Sequence, residues 1–170
     1  RGIKELGSAV TLIKGEKNIL VDTGLHGEGE YIIRKLKEIG LSPTDIDIVV
    51  ITHFHVDHFF NCALFEKSTI YWAGFFKTDG KEHPSKLKFD EKMKLCNDVF
   101  LFRTPGHTDL HASVLVKTDK GNVIITGDAM AFDKEISPKK ESLRESREKI
   151  HKIADYVVLG HGDRILKLND

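Results

Sequence analysis

A layered α/β sandwich, two β-sheets covered by helices, is the fold class this sequence predicts. Three observations predict it. Apolar, β-branched runs alternate with amphipathic helical segments in the order ββαβαβ–βββαβ. Strand after strand ends on a histidine or an aspartate, at Asp22, His53, His107, Asp128 and His161, as expected where loops at one edge of a rigid sheet build a site. Finally, 170 residues with 40% apolar content suffice for a single domain, residues 1–170, with a sizeable core.

The elements follow in order. Residues 8–14 (SAVTLIK) and 17–23 (KNILVDT) read as strands joined by a KGEK turn. EGEYIIRKLKEIG (28–40) reads as a helix with Ile32, Leu36 and Ile39 on one face and Gly40 as its stop. SPTD (42–45) is a turn and IDIVVIT (46–52) a buried strand. Phe59, Phe60, Ala63 and Leu64 suggest a short helix starting near Asp57. STIYWAG (68–74) is a strand, followed by a polar loop, KTDGKEHPSKLK (77–88). DVFLFRT (98–104), ASVLVKT (112–118) and NVIITGD (122–128) are strands, the last two joined by DKGN. Residues 137–154 read as a helix with Ser137 as N-cap and Pro138 in its first turn. DYVVLG (155–160) and RILKL (164–168) close the chain as strands.

Composition narrows the function classes. Lys plus Arg and Asp plus Glu both number 26, so no global charge favours nucleic acid or a membrane surface. No apolar run approaches the roughly 20 residues that cross a bilayer, and the first ten residues hold no apolar signal core. The chain opens on Arg1 rather than methionine, consistent with residues having preceded it. Two cysteines, Cys62 and Cys96, make no disulfide framework; both are expected as buried packing residues, in a reducing, cytoplasmic setting. Glutamine is absent, which leans toward a thermophilic source.

The chemistry concentrates in THFHVDHFFN (52–61), with three histidines and an aspartate between His53 and His58. Imidazole nitrogens and a carboxylate suit a borderline cation, Zn²⁺ by default, with iron or manganese acceptable. In an extended loop His53 and His55 project to one side and can share an ion. Asp57 and His58, at the turn into the helix, can address a second. Two metals roughly 4 Å apart would clamp a bridging hydroxide. Four residues cannot satisfy two metals, but His107 in TPGHT, Asp128 in TGD and His161 in LGHGD each stand at a strand end. Five histidines and two aspartates give three ligands per metal plus one shared carboxylate.

With VDTG ahead of them, THFHVDH, TPGHT, TGD and GHG resemble the metallo-β-lactamase superfamily, from about Ser8 to Leu168. The resemblance implies a four-layer αββα sandwich with the site at the sheet edges. It implies that His53, His55 and His107 bind the first metal, Asp57, His58 and His161 the second, and that Asp128 bridges them. Asp22 would lie beneath the site. Aspartate rather than cysteine at 128 is similar to hydrolases of the glyoxalase II, lactonase and RNase Z type. The segment ESREKIHKIADYVVLGHGDRI, a Ser-Arg helix running into the GHG motif, looks like metallo-β-lactamase domain-containing protein 1 and its short microbial relatives. Phe60 departs from the family's usual glycine.

The implied activity is metal-dependent hydrolysis of an ester, thioester, lactone or phosphodiester, with Asp57 and Asp128 as the carboxylates of catalysis. Two dications, two carboxylates and a hydroxide leave a charge of about +1, which suits an anionic substrate. Two rival activities are an RNA endonuclease and a mononuclear-iron persulfide dioxygenase using the equivalents of His53, His107 and Asp128. Lys77, Lys81, Lys86 and Lys88 could meet phosphates, although Asp79, Glu82 and Asp90 nearly offset them. Trp72, Phe75 and Phe76 read as core or pocket wall, and His26 as a surface or mouth residue. His83, His111 and His151 are expected as surface or structural residues. The expected partner is a small molecule or RNA, not a membrane.

Overall fold

Period-two alternation along the strands decides which side chains meet. The computed structural model describes residues 7–73, 75–78, 81–84, 87, 90–131, 140–162 and 164–168, with backbone alone at 75, 76 and 82. Two six-stranded sheets form. The first holds β1 (Thr11–Lys14), β2 (Asn18–Val21), β3 (Ile48–Val50), β4 (Thr69–Trp72), β5 (Phe75–Thr78) and β6 (Lys81–Pro84), in sequence order across the sheet. The second holds β7 (Lys92–Cys96), β8 (Val99–Arg103), β9 (Ala112–Thr118), β10 (Gly121–Ile125), β11 (Tyr156–Val158) and β12 (Ile165–Lys167), also in sequence order across the sheet. Among the described residues three α-helices accompany them: α1 (Gly29–Glu38), the single turn α2 (Val56–Phe59) and α3 (Glu141–Ile153).

Alternate residues of one strand serve different cores. Ile19, Val21, Ile48 and Val50 face inward and meet Leu101, Val114 and Ile125 of the other sheet. Leu20 and Val49 face outward and pack with Ile32 and Leu36 of α1. On the second sheet Phe102, Leu115, Ile124 and Val157 face outward and meet Ile150 of α3. A fully buried side chain of this size contributes roughly 1.5–3 kcal/mol. The layers are therefore helix, sheet, sheet, helix: the αββα sandwich the sequence implied.

The crossovers fix strand direction. β2 and β3 run parallel across α1, β3 and β4 across α2, and β10 and β11 across α3. No helix among the described residues is long and apolar enough to cross a membrane.

Several local readings differ. Part of the stretch read as loop, 77–88, is strand: β5 and β6 pair antiparallel and extend the first sheet's edge. At that edge the sequence carries lysines instead of an apolar alternation, a common way of blunting an exposed edge. β7 is an unpredicted edge strand, and it ends on Cys96. Cys62 and Cys96 are half-buried, not fully buried, and pack on the rims of the first sheet's outer core and the inter-sheet core. α3 begins at Glu141; the predicted cap Ser137 and Pro138 lie outside the described residues.

Leu101 sits at the centre of the inter-sheet core with no exposure. Leu101→Ala should lower the unfolding free energy by about 2–5 kcal/mol in urea titrations, and a loss below about 1 kcal/mol would contradict this packing.

Candidate metal centre

Strand direction brings the polar strand ends to one edge. β2 delivers Asp22, β3 His53, β10 Asp128 and β11 His161. β8 is antiparallel to β9 and β9 to β10, so β8 runs with β10 and delivers His107 to the same edge. The Ala112 amide donates to the Thr52 carbonyl at 2.9 Å, joining the two sheets at the site.

The seven predicted residues meet there in two groups. His53, His55, His107 and Asp128 form one, and Asp57, His58 and His161 the other, with donor atoms in each group within 4.8 Å of one another. Asp128 stands between them. Its Oδ2 lies 3.4 Å from His107 Nε2 and 3.9 Å from His53 Nε2. Its Oδ1 lies 3.4 Å from His58 Nε2 and 3.3 Å from His161 Nε2. Asp57 Oδ2 is 3.7 Å from His58 Nε2 and 3.6 Å from His161 Nε2, and His107 Nε2 is 3.0 Å from His55 Nδ1. His53 and His58 form the buried floor, while His55 is exposed and His107 half-exposed at the opening.

Tautomers follow from the buried network. Asp22, at the end of β2 with φ 61°, accepts the Thr52 amide at 2.8 Å, the Thr52 hydroxyl at 2.9 Å and His58 Nδ1–H at 2.7 Å. Because the Thr52 hydroxyl proton goes to Asp22, its oxygen accepts from His53 Nδ1, 3.1 Å away. Both rings thus turn Nε2 toward the centre. His161 Nδ1 donates to the Gly7 carbonyl at 3.2 Å and aims its Nε2 the same way.

The site fits a divalent cation. His53 Nε2, His58 Nε2 and Asp128 Oδ1 are buried without a hydrogen-bond partner among the described residues. Leaving such atoms unpaired costs about 1–3 kcal/mol each. A cation that prefers nitrogen and carboxylate donors would satisfy all three. Gly160 leaves room for the Asp128 side chain, because a Cβ there would lie 2.2 Å from its Oδ1.

Without a metal the electrostatics are strained. Burial pushes the Asp22 carboxyl up, opposed by His58 and Thr52. Burial also works against a charged His58, but its contacts with Asp128 and Asp22 outweigh this and hold its pKa up at about 10. Burial drives His53 down to about 2, helped by the neighbouring His58 and His111. Burial opposes the Asp128 carboxylate too, yet contacts with His161 and His58 keep its pKa well below the usual range.

One buried histidine beside the two groups, expected as surface or structural, is structural. His111 has no exposure and stacks on His53 with ring centroids 5.0 Å apart. Its Nδ1 donates to Thr104 Oγ1 at 2.9 Å, and burial lowers its pKa to about 3. Its placement depends on the Thr104 amide donating to the His111 carbonyl across two strand ends, a pairing no local motif reveals. His26 is exposed and meets Phe60 edge-on at 4.7 Å. Trp72 is half-buried against the outer core of the first sheet, His83 is half-buried and His151 exposed. The side chains of Phe75 and Phe76, and all of Asp79, Lys86 and Lys88, lie outside the described residues.

Comparison with known proteins places the chain among relatives. The family profile described as "Metallo-beta-lactamase superfamily" matches residues 3–161. A Methanocaldococcus jannaschii protein carrying the name metallo-hydrolase is 34% identical over 158 residues, 88% of this chain and 73% of that one. The Xenopus laevis metallo-beta-lactamase domain-containing protein 1 is 31% identical over 172 residues, 94% of this chain and 73% of that one. Among solved structures, a Thermotoga maritima protein described as a metallo-beta-lactamase superposes with a TM-score of 0.72 at 27% identity, covering 94% of this chain and 88% of that one.

Two outcomes follow for the metal-free chain. His58 titrates above the usual 6.5, so its stabilisation is complete below that pH and is lost as pH rises toward about 10. His53 and His111 titrate below 6.5, so theirs is complete above that pH and is lost as pH falls. With chelator present, the melting temperature should peak near pH 6.5; a steady rise from about pH 5 to about pH 9 would contradict the pairing. Asp22→Asn should keep the fold but weaken metal retention by about 10–100-fold in chelator competition, and unchanged retention would contradict the role given to Asp22.

Proposed function

The chain belongs to the metallo-beta-lactamase superfamily and is a metal-dependent hydrolase, and we propose that it cleaves an ester, thioester, lactone or phosphodiester bond at a dinuclear centre. One observation carries the reading: the two oxygens of Asp128 are divided between the His53–His107 side and the His58–His161 side. His53, His55 and His107 would hold one ion, Asp57, His58 and His161 the other, and Asp128 both. Zinc suits this nitrogen and carboxylate set, as do iron and manganese. Divalent ions bound there polarise the electrophilic carbonyl or phosphoryl group and lower the pKa of water toward neutrality.

The chain's own groups do the rest. Asp57, partly exposed beside His161, can accept a hydrogen bond from the attacking water and orient it. Asp128 is nearly buried and holds its carboxylate still between the two groups. The closed floor of His53 and His58 keeps bulk water from entering behind the reacting bond. Substrate then approaches over the exposed edge of His55 and His107. The segments bearing these ligands also expose Phe54, Val56, Phe60 and Leu110, which favours a substrate with an apolar portion on a carboxyl ester, thioester or lactone. An oxygenase working with one iron would need only His53, His107 and Asp128; Asp57, His58 and His161 add the donors for a second ion, and oxygen uptake with a persulfide separates the two activities.

The test is a panel of carboxyl ester, thioester, lactone and phosphodiester substrates with metal-loaded protein. Hydrolysis of a carboxyl substrate should fall at least about 100-fold in Asp128→Ala while circular dichroism keeps the fold. Full activity in that variant, or oxygen uptake with a persulfide in place of hydrolysis, would overturn the reading.

A further inference from the structure

Leu143, Ser146, Arg147 and Ile150 share one face of α3, at the spacing of a core-facing stripe. Leu143 and Ile150 pack onto the outer core of the second sheet, so the two polar residues sit in the middle of an apolar contact. Polar groups placed there are costly unless each finds a partner. Ser146 is fully buried, and its Oγ donates to the Pro105 carbonyl at 2.7 Å. Arg147 Nε donates to the Ala129 carbonyl, also at 2.7 Å. These two carbonyls belong to different loops. Pro105 stands two residues before His107, and Ala129 directly follows Asp128.

The first loop also meets α3 at Gly106. Gly106 lies so close that a Cβ there would be 2.4 Å from the Leu143 backbone, which bars any side chain and lets the helix touch the loop. Ala129 and Met130 of the second loop join the same apolar core as Ile150. One helix thus grips both loops, by adjacent residues, at main-chain atoms.

We infer that Ser146 and Arg147 are positioning residues that fix His107 and Asp128 relative to each other. His107 Nε2 and Asp128 Oδ2, 3.4 Å apart, are the atoms so set. Neither Ser146 nor Arg147 carries a donor atom of the two metal-binding groups; each acts through the carbonyl it holds. The inference rests on the dinuclear hydrolase reading, because it concerns ligands of that centre. It also gives the Ser-Arg pair of the sequence a physical role, which is to match two separately folded loops to one ion.

The arginine offers a clean test. Glutamine carries its side-chain nitrogen the same number of bonds from the backbone as arginine Nε, so Arg147→Gln keeps the donor and drops the charge. Methionine of similar length, in Arg147→Met, drops both. Zinc dissociation constants by chelator competition, cobalt(II) absorption spectra, and the melting temperature of the metal-free protein are measured for parent, Ser146→Ala, Arg147→Met and Arg147→Gln. Ser146→Ala and Arg147→Met should bind zinc roughly 10–100-fold more weakly and shift the cobalt bands, while Arg147→Gln stays within about threefold of parent. Without metal, Arg147→Met should melt below Arg147→Gln, because it leaves the buried Ala129 carbonyl unpaired, so zinc affinities are compared at a temperature where both are folded. Arg147→Gln as weak as Arg147→Met, or Ser146→Ala as tight as parent, overturns the inference while leaving the centre itself intact. A parent chain that takes up neither zinc nor cobalt overturns the dinuclear reading and this inference together.

Discussion

A single buried carboxylate, Asp22, is the constraint on which the site's geometry depends. It receives a main-chain amide, a hydroxyl and an imidazole N–H from residues 30 and 36 positions along the chain. Those bonds settle the tautomer of His58 directly and that of His53 through Thr52, so one ring in each metal-binding group owes its aim to the same residue. The backbone at Asp22 is left-handed, and its carboxylate meets Thr52, just past the end of β3, and His58 of α2. Taking a carboxylate out of water is expensive, and it is tolerated here because every contact it makes is to a donor.

The rest of the centre shows the same logic. Parallel crossovers bring strand ends to one edge, the inter-sheet core fixes the distance between the two halves, and Asp128 spans them. A second buried chain backs the first: His111 to Thr104, Thr104 to Ser113, and Ser113 to the Thr126 carbonyl. It supports the stacked His53 ring from the side of the second sheet. Rigid layers lie beneath and two hydrogen-bonded chains flank the site histidines, while His55 is exposed and His107 half-exposed at the outer edge.

Much of this could be read in the sequence because its signals are local. The continuous apolar runs of Ile19, Leu20 and Val21, and of Leu101 and Phe102, announce strands buried on both faces, and the layered sandwich follows. The dense run from His53 to His58, and single ligands placed straight after apolar strands, draw attention without knowledge of any contact. What escaped depends on distance or on edges. His111 looks like any loop histidine until the strand end beside it is known. Ser146 and Arg147 find their partners 41 and 18 residues away. β6 and β7 are edge strands and β5 stands one in from the edge; with little apolar alternation there, the lysines of 77–88 suggested loop and residues 92–96 gave no strand signal.

Elemental analysis of protein purified without chelator or metal-affinity tag tests the central claim most directly. The two groups around Asp128 predict about two zinc, iron or manganese ions per chain. About one iron per chain, or no metal retained even after addition of Zn²⁺, would contradict it.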